Sequence, residues 1–138
     1  MITREEKIDN FIQSARSFVG SPFKHQGRTK NGIDCIGLII IPLNELGFFS
    51  YDNKNYKRYG FGDGLIEVIK KYCYELDSPY KLEKGDILLY SNGRSQHLAI
   101  YTGNSIIHAN NKIGKVVEHS LDNYWITNIS KAFRYRGE

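Results

Sequence analysis

The stretch Gln96-His97-Leu98-Ala99-Ile100-Tyr101-Thr102-Gly103-Asn104-Ser105-Ile106-Ile107-His108-Ala109-Asn110 decides the fold. Two runs with period-two apolar spacing flank Gly103-Asn104, a two-residue hairpin signal. With that turn Thr102 faces Ser105, Ile100 faces Ile107 and Ala99 faces His108. Leu98, Ile100, Ile107 and Ala109 then share one apolar face. His97, Ala99, Tyr101, Ile106, His108 and Asn110 share the other. His97 and His108 become diagonal neighbours, about 7–8 Å apart at Cα. The small side chain of Ala99 leaves the space between two imidazoles open. A one-residue slip would move the apolar set to the other face, so the register is strongly specified.

Working outward from the hairpin, the pattern after Pro79 stays period-two. It predicts five strands, Asp86–Ser91, His97–Thr102, Ser105–Asn110, Lys115–His119 and Lys131–Tyr135, with a helical turn near Leu121–Trp125. The N-terminal half reads differently. Thr3-x-x-Glu6 is a capping box opening a helix with apolar residues at Ile8, Phe11, Ile12, Ala15, Phe18 and Val19, and Gly20-Ser21-Pro22 stops it. Residues 21–33 read as a loop. Asp34 is the expected N-cap of a second helix that runs to a glycine stop at Gly47, with Pro42 expected to kink or shorten it. Residues 48–62 read as a long surface loop, and Asp63 as the cap of a third helix to Leu76. Helices first and sheet second define an α+β class, N-terminal helices packed on a roughly five-stranded antiparallel sheet, in one domain over residues 1–138.

Cys35 stands at the mouth of the second helix, in Gly32-Ile33-Asp34-Cys35-Ile36-Gly37-Leu38. Unpaired N–H groups and the positive dipole end favour a thiolate there. With two histidines on a later hairpin, the parts of a thiol nucleophile, its base and the orienter of that base are present. The competing readings are a buried apolar thiol, since Ile36, Leu38 and Ile39 follow, and a Cys/His/His zinc site, for which no fourth ligand is found. His25 and His119 read as surface residues. Cys73, within a helical apolar pattern, reads as buried.

The chain has 138 residues with a net charge of +4, and 10 of its aromatic residues are tyrosine. The sequence pI is about 9.0. That balance suits an anionic partner, such as nucleic acid or a cell-wall polymer. The basic residues are scattered, with no run longer than Lys70-Lys71, which argues for a solvated basic surface and against a dedicated nucleic-acid face. Two cysteines make no disulfide framework. Met1–Glu6 carries acids and lacks the apolar core of a signal peptide, and the apolar run from Ile36 to Leu43 is too short for a bilayer span. The expectation is a protein held in the cytoplasm as synthesised, or carried outward in a virion.

These residues resemble the NlpC/P60 family of papain-like cysteine peptidases. The Asp34-Cys35-x-Gly37 segment, the Lys84-Gly85-Asp86-Ile87-Leu88-Leu89-Tyr90 strand, His97-Leu98-Ala99-Ile100-Tyr101 and Ile107-His108-Ala109 follow the family's order, from about Phe11 to Arg136. A narrower resemblance is to phage-encoded cell-wall peptidases and tail-associated proteins. It rests on Pro22–Gly27, Gln96–Ile100, Val116–Trp125 and Ala132–Tyr135. The resemblance implies endopeptidase or amidase action on peptidoglycan stem peptides, with Cys35 as nucleophile, His97 as base and His108 as orienter. It places Phe23, Asp34 and Gln96 in substrate binding. It implies no metal and no organic cofactor; peptidoglycan and phage tail proteins are the expected partners. Many members carry tyrosine where this chain has Phe23 and serine where it has Ile36, so the site is more apolar here. A tail component without hydrolysis and a thiol acyltransferase are the alternatives on the same fold.

Overall fold

A computed structural model describes residues 2–47, 52, 65–91 and 95–137. The expected 48–62 loop and the Asp63 cap lie outside the described residues, apart from Asp52. Helix α1 spans Arg4–Arg16 and opens with the predicted capping box: the Thr3 side chain accepts from the Glu6 amide, and the Glu6 carboxylate accepts from the Thr3 amide. A short antiparallel pair follows, β1 (Arg28–Thr29) and β2 (Gly32–Ile33), where the sequence reads as plain loop. Helix α2 spans Cys35–Glu45 and contains Pro42 without ending there. Its stop lies at Gly47, which takes the left-handed φ of +73° expected of a helix-ending glycine.

Helix α3 covers Leu65–Tyr72, and strand β3 takes over at Cys73–Glu75. This corrects the expected helix to Leu76. The apolar spacing there fits helix until Tyr72, but Cys73, Tyr74 and Glu75 pair with Tyr135, Arg134 and Phe133. Ladder bonds to a strand more than fifty residues later override local periodicity.

The strands β4 (Ile87–Ser91), β5 (Gln96–Tyr101), β6 (Ser105–Asn110), β7 (Lys115–Ser120) and β8 (Lys131–Tyr135) lie within a residue of expectation. Helix α4, Asn123–Thr127, is the predicted turn between the last two. The sheet has six strands in the order β3-β8-β4-β5-β6-β7, one more than the five expected, and its pairings are antiparallel. Gly103 opens the β5–β6 turn at φ +115°, the positive value that the first position of a II′-type turn requires. Ile100 faces Ile107 and Tyr101 faces Ile106, the predicted register.

Both faces of the sheet are covered. Against one face, Leu98, Ile100, Ile107 and Ala109 pack with Phe11, Ile12 and Ala15 of α1, Leu38 and Ile39 of α2, and Ile69 of α3. Leu98, Ile100, Ile107, Leu38 and Ile39 are wholly buried. Burying each such side chain stabilises the fold by about 1.5–3 kcal/mol. Against the other face lies a smaller cluster of Leu88, Tyr90, Ala99, Ile106, Ile129 and Ala132, closed over by Leu121, Trp125 and Ile126. The histidines lie on this second face.

Candidate active site

The start of α2 is built by Asp34. Its Oδ1 accepts from the Gly37 amide at 2.9 Å, and its Oδ2 accepts from the Gln26 amide at 2.7 Å. Arg28 pairs with the same carboxylate at 3.2 Å and donates to the Gly27 carbonyl at 2.9 Å. Asp34 is therefore the predicted N-cap, buried with both oxygens engaged in the fold. Glycine is required at position 37 by proximity: a Cβ there would lie 2.6 Å from the Gly27 carbonyl oxygen. The loop before β1 thus presses on the first turn of α2, and Gln26 within it is held at φ +64°.

Cys35 is half-buried and free. The Leu98 amide of β5 lies near enough to its sulfur to favour the thiolate. The body of α2 lies over the sheet face opposite the imidazoles, so the nucleophile candidate approaches beside His97 in sequence, not across the histidine face. Burial pushes the Cys35 thiol up to about 12, against the opposing pull of the Leu98 amide, its own amide and Arg28; Asp34 adds to the rise. The helix terminus alone suggests a lowered value, but desolvation outweighs it here.

The histidines form a row. His97 Nε2 lies 2.8 Å from His108 Nδ1. His108 Nε2 lies 2.7 Å from His119 Nε2. His119 Nδ1 lies 2.9 Å from the Ser120 carbonyl oxygen. Trp125 covers all three rings, with centroid separations of 6.1, 4.7 and 5.6 Å to His97, His108 and His119. Trp125 is in turn held by Asp122, which caps α4 through the Trp125 amide at 3.2 Å, and by an edge-on contact with Tyr90 at 5.1 Å. Burial lowers His97 to about 4 and, together with the other two histidines, His108 to about 3. Both imidazoles are neutral at pH 7.

The structure therefore joins His97 and His108, as the hairpin register predicts. It corrects the surface reading of His119, which joins them. The signal was legible: a four-residue turn at 111–114 pairs Asn110 with Lys115, which puts His119 opposite Ile106 on the face of His108. His25 is half-exposed and no part of the row. Cys73 is buried as expected. Phe23 is half-buried against the main core and bridges Ile33, two residues before Cys35. Gln96 opens β5 opposite Ser91, half-buried and next to His97. Among the described residues no three His, Cys, Asp or Glu side chains converge as metal ligands. The nitrogens of the row face one another instead of a shared point.

A thiol at a helix start thus lies beside a strand whose histidine is chained to a second one, on an α+β scaffold. The chain belongs to the NlpC/P60 family, whose profile matches residues 20–134. It is 28% identical over 124 residues to the probable endopeptidase NlpC of Escherichia coli K12, covering 86% of this chain and 72% of that protein. It is 26% identical over 117 residues to the murein DD-endopeptidase MepS/murein LD-carboxypeptidase of the same strain, covering 83% of this chain and 56% of that one. The chain thus spans little more than half of the second relative. Among solved structures it resembles the P60 domain of the Mycobacterium avium subspecies paratuberculosis antigen MAP1204, with a TM-score of 0.69, 18% identity and 98% of each chain covered. That likeness confirms the α+β fold.

Proposed function

We propose that this domain is a cysteine peptidase that cleaves peptidoglycan stem peptides, with Cys35 as nucleophile, His97 as base and His108 as orienter. The observation that carries the reading is the His97 Nε2–His108 Nδ1 contact of 2.8 Å, on the strand whose Leu98 amide lies near enough to Cys35 to favour its thiolate. The relative named as a murein DD-endopeptidase supports the substrate class, and the one named as a probable endopeptidase supports the reaction.

The thiol is protonated at rest, so its proton leaves as the sulfur attacks. Sγ forms a bond to the scissile carbonyl carbon while His97 Nδ1 takes the proton. The carbonyl electron pair moves onto oxygen, which amides at the start of α2 are placed to stabilise. The C–N bond then breaks, and the imidazolium of His97 returns the proton to the departing amine. Water attacks the thioester with His97 again as base and releases the acid. Phe23, Asp34 and Gln96 flank this path: Phe23 and Gln96 as apolar and amide walls, Asp34 by holding the helix start that carries the thiol.

We further infer that the protein belongs with the phage-encoded branch and acts at the wall as a tail-associated enzyme. The strings that suggest that branch, Gln96–Ile100 and Val116–Trp125, supply His97, His119 and Trp125 of the site. Genes for tail proteins beside its own would support the inference.

The test is incubation with purified peptidoglycan and mass analysis of the soluble products. Stem-peptide fragments should appear with the wild type and vanish with Cys35→Ala, whose circular dichroism should be unchanged. Fragments of equal yield from both proteins, or none from the wild type on any stem-peptide chemistry, would overturn the proposal.

A further inference from the structure

We propose that His119 is a positioning residue that sets the tautomer of His97 from two imidazoles away, anchored on the carbonyl of Ser120; this rests on the reading of His97 as base. The argument starts from the one group in the row with no choice. A carbonyl oxygen only accepts, so at 2.9 Å from Ser120 O the Nδ1 of His119 carries a proton and donates. A neutral imidazole has one N–H, which leaves His119 Nε2 bare. At 2.7 Å that bare nitrogen requires a donor, so His108 carries its proton on Nε2. His108 Nδ1 is then bare, and at 2.8 Å it requires the proton of His97 on Nε2. The remaining nitrogen of His97, Nδ1, is left with a lone pair, which is the state a base for the Cys35 thiol needs.

Without the anchor the row has two self-consistent polarities. In the reverse one, every proton sits on the other nitrogen, and His97 Nδ1 carries a hydrogen and accepts nothing. The two forms make equal numbers of ring-to-ring bonds, so His97 and His108 alone leave the choice open. The contact to Ser120 removes one of them. Burial holds the row to one sense throughout: His108 is fully buried, so an N–H there that matched only one neighbour would find no water to satisfy it. Trp125, tilted at 50–53° over all three rings, restricts ring flips that would otherwise exchange Nδ1 for Nε2.

Long-range proton–nitrogen correlation spectra of 15N-histidine protein read the tautomers directly, whatever the activity. At pH 7 we expect Nε2–H on His97 and His108 and Nδ1–H on His119. Nε2–H on His119, or Nδ1–H on His97, would overturn the proposal even in an active enzyme. Two variants extend the test. His119→Gln keeps an acceptor near the Nε2 position and should hold kcat/KM on a stem peptide within about threefold. His119→Phe keeps the ring under Trp125 but removes the acceptor. It should lower kcat at least about tenfold with KM little changed, and should raise the Nδ1–H population of His97. Wild-type activity in His119→Phe with His97 still protonated at Nε2 would also refute it. If His119→Phe fails to fold, the wild-type spectra and His119→Gln decide. A wild type that releases no peptide fragments counts against the proposed function alone, since the spectra still decide the anchor.

Discussion

At the scale of single residues, the atom through which His108 meets His97 sets which substitution spares the site. The contact uses Nδ1 of His108, close to its own Cβ. An asparagine Oδ1 occupies that position, whereas a glutamine oxygen lies one carbon too far. We expect His108→Asn to keep part of kcat/KM, and His97→Ala to lose more than about 10²-fold, with both proteins folded. Assays of the two variants on a stem-peptide substrate check the order; equal losses would mean that His108 does more than orient. The place of Cys35 at a helix start and the pairing of His97 with His108 were legible in the sequence because a helix cap and a hairpin turn are local signals. The raised thiol value of Cys35 was not legible. Whether a helix dipole or burial governs a thiol depends on what packs over it, and β5 arrives from sixty residues away.

At the scale of elements, the β5–β6 hairpin was readable to the residue and the turn at 111–114 carried the signal for β7, while β3 was not readable. A turn of two residues leaves one register, so Gly103-Asn104 predicts which side chains align. β3 exists through its pairing with β8, a partner that local apolar spacing does not reveal. β8 is itself clamped to the start of β4. Arg134 donates from Nε and Nη2 to the two carboxylate oxygens of Asp86, each at 2.9 Å, and Asp86 is 1% exposed. The carboxylate also accepts from the Glu83 amide at 2.8 Å. Asp86 thus explains the Gly-Asp strand signature as a structural clamp. Asp86→Ala should cost about 1–3 kcal/mol: Arg134 keeps the Glu83 carboxylate and the Lys81 carbonyl but loses its bidentate partner, and the Glu83 amide loses its acceptor. Urea unfolding followed by tryptophan fluorescence measures it; a loss below about 1 kcal/mol would show that Arg134 is satisfied without Asp86.

At the scale of the whole molecule, sandwiching the sheet between two covers gives a distinctive response to acid. His97 and His108 are neutral and buried, with pKa values lowered to about 4 and about 3 from an ordinary 6.5. The unfolded chain therefore binds protons that the folded chain refuses. The stability they contribute is complete above pH 6.5 and is lost as pH falls toward 4 and then 3. Melting temperature should drop across that window. The slope should flatten in a His97→Gln/His108→Asn double variant, which has no imidazole at either position to protonate. A parallel slope in that variant would place the acid sensitivity elsewhere. The α+β layering was legible from the switch in period after Pro79, but the second cover was not. Leu121, Trp125 and Ile126 are too few to advertise a layer, and they acquire meaning only once β5, β6 and β7 present the histidines beneath them.

Cys35 is carried by the first third of the chain, whereas His97, His108, His119 and Trp125 all come from the last third. During translation Cys35 emerges long before any of the three imidazoles. A chain arrested before Asn104 holds a cysteine at a helix start with no completed hairpin beside it. The thiol and the histidine row meet only when β5, β6, β7 and α4 have been made and have closed on the helices. If Cys35 and His97 act as proposed, a chain truncated before β6 hydrolyses nothing.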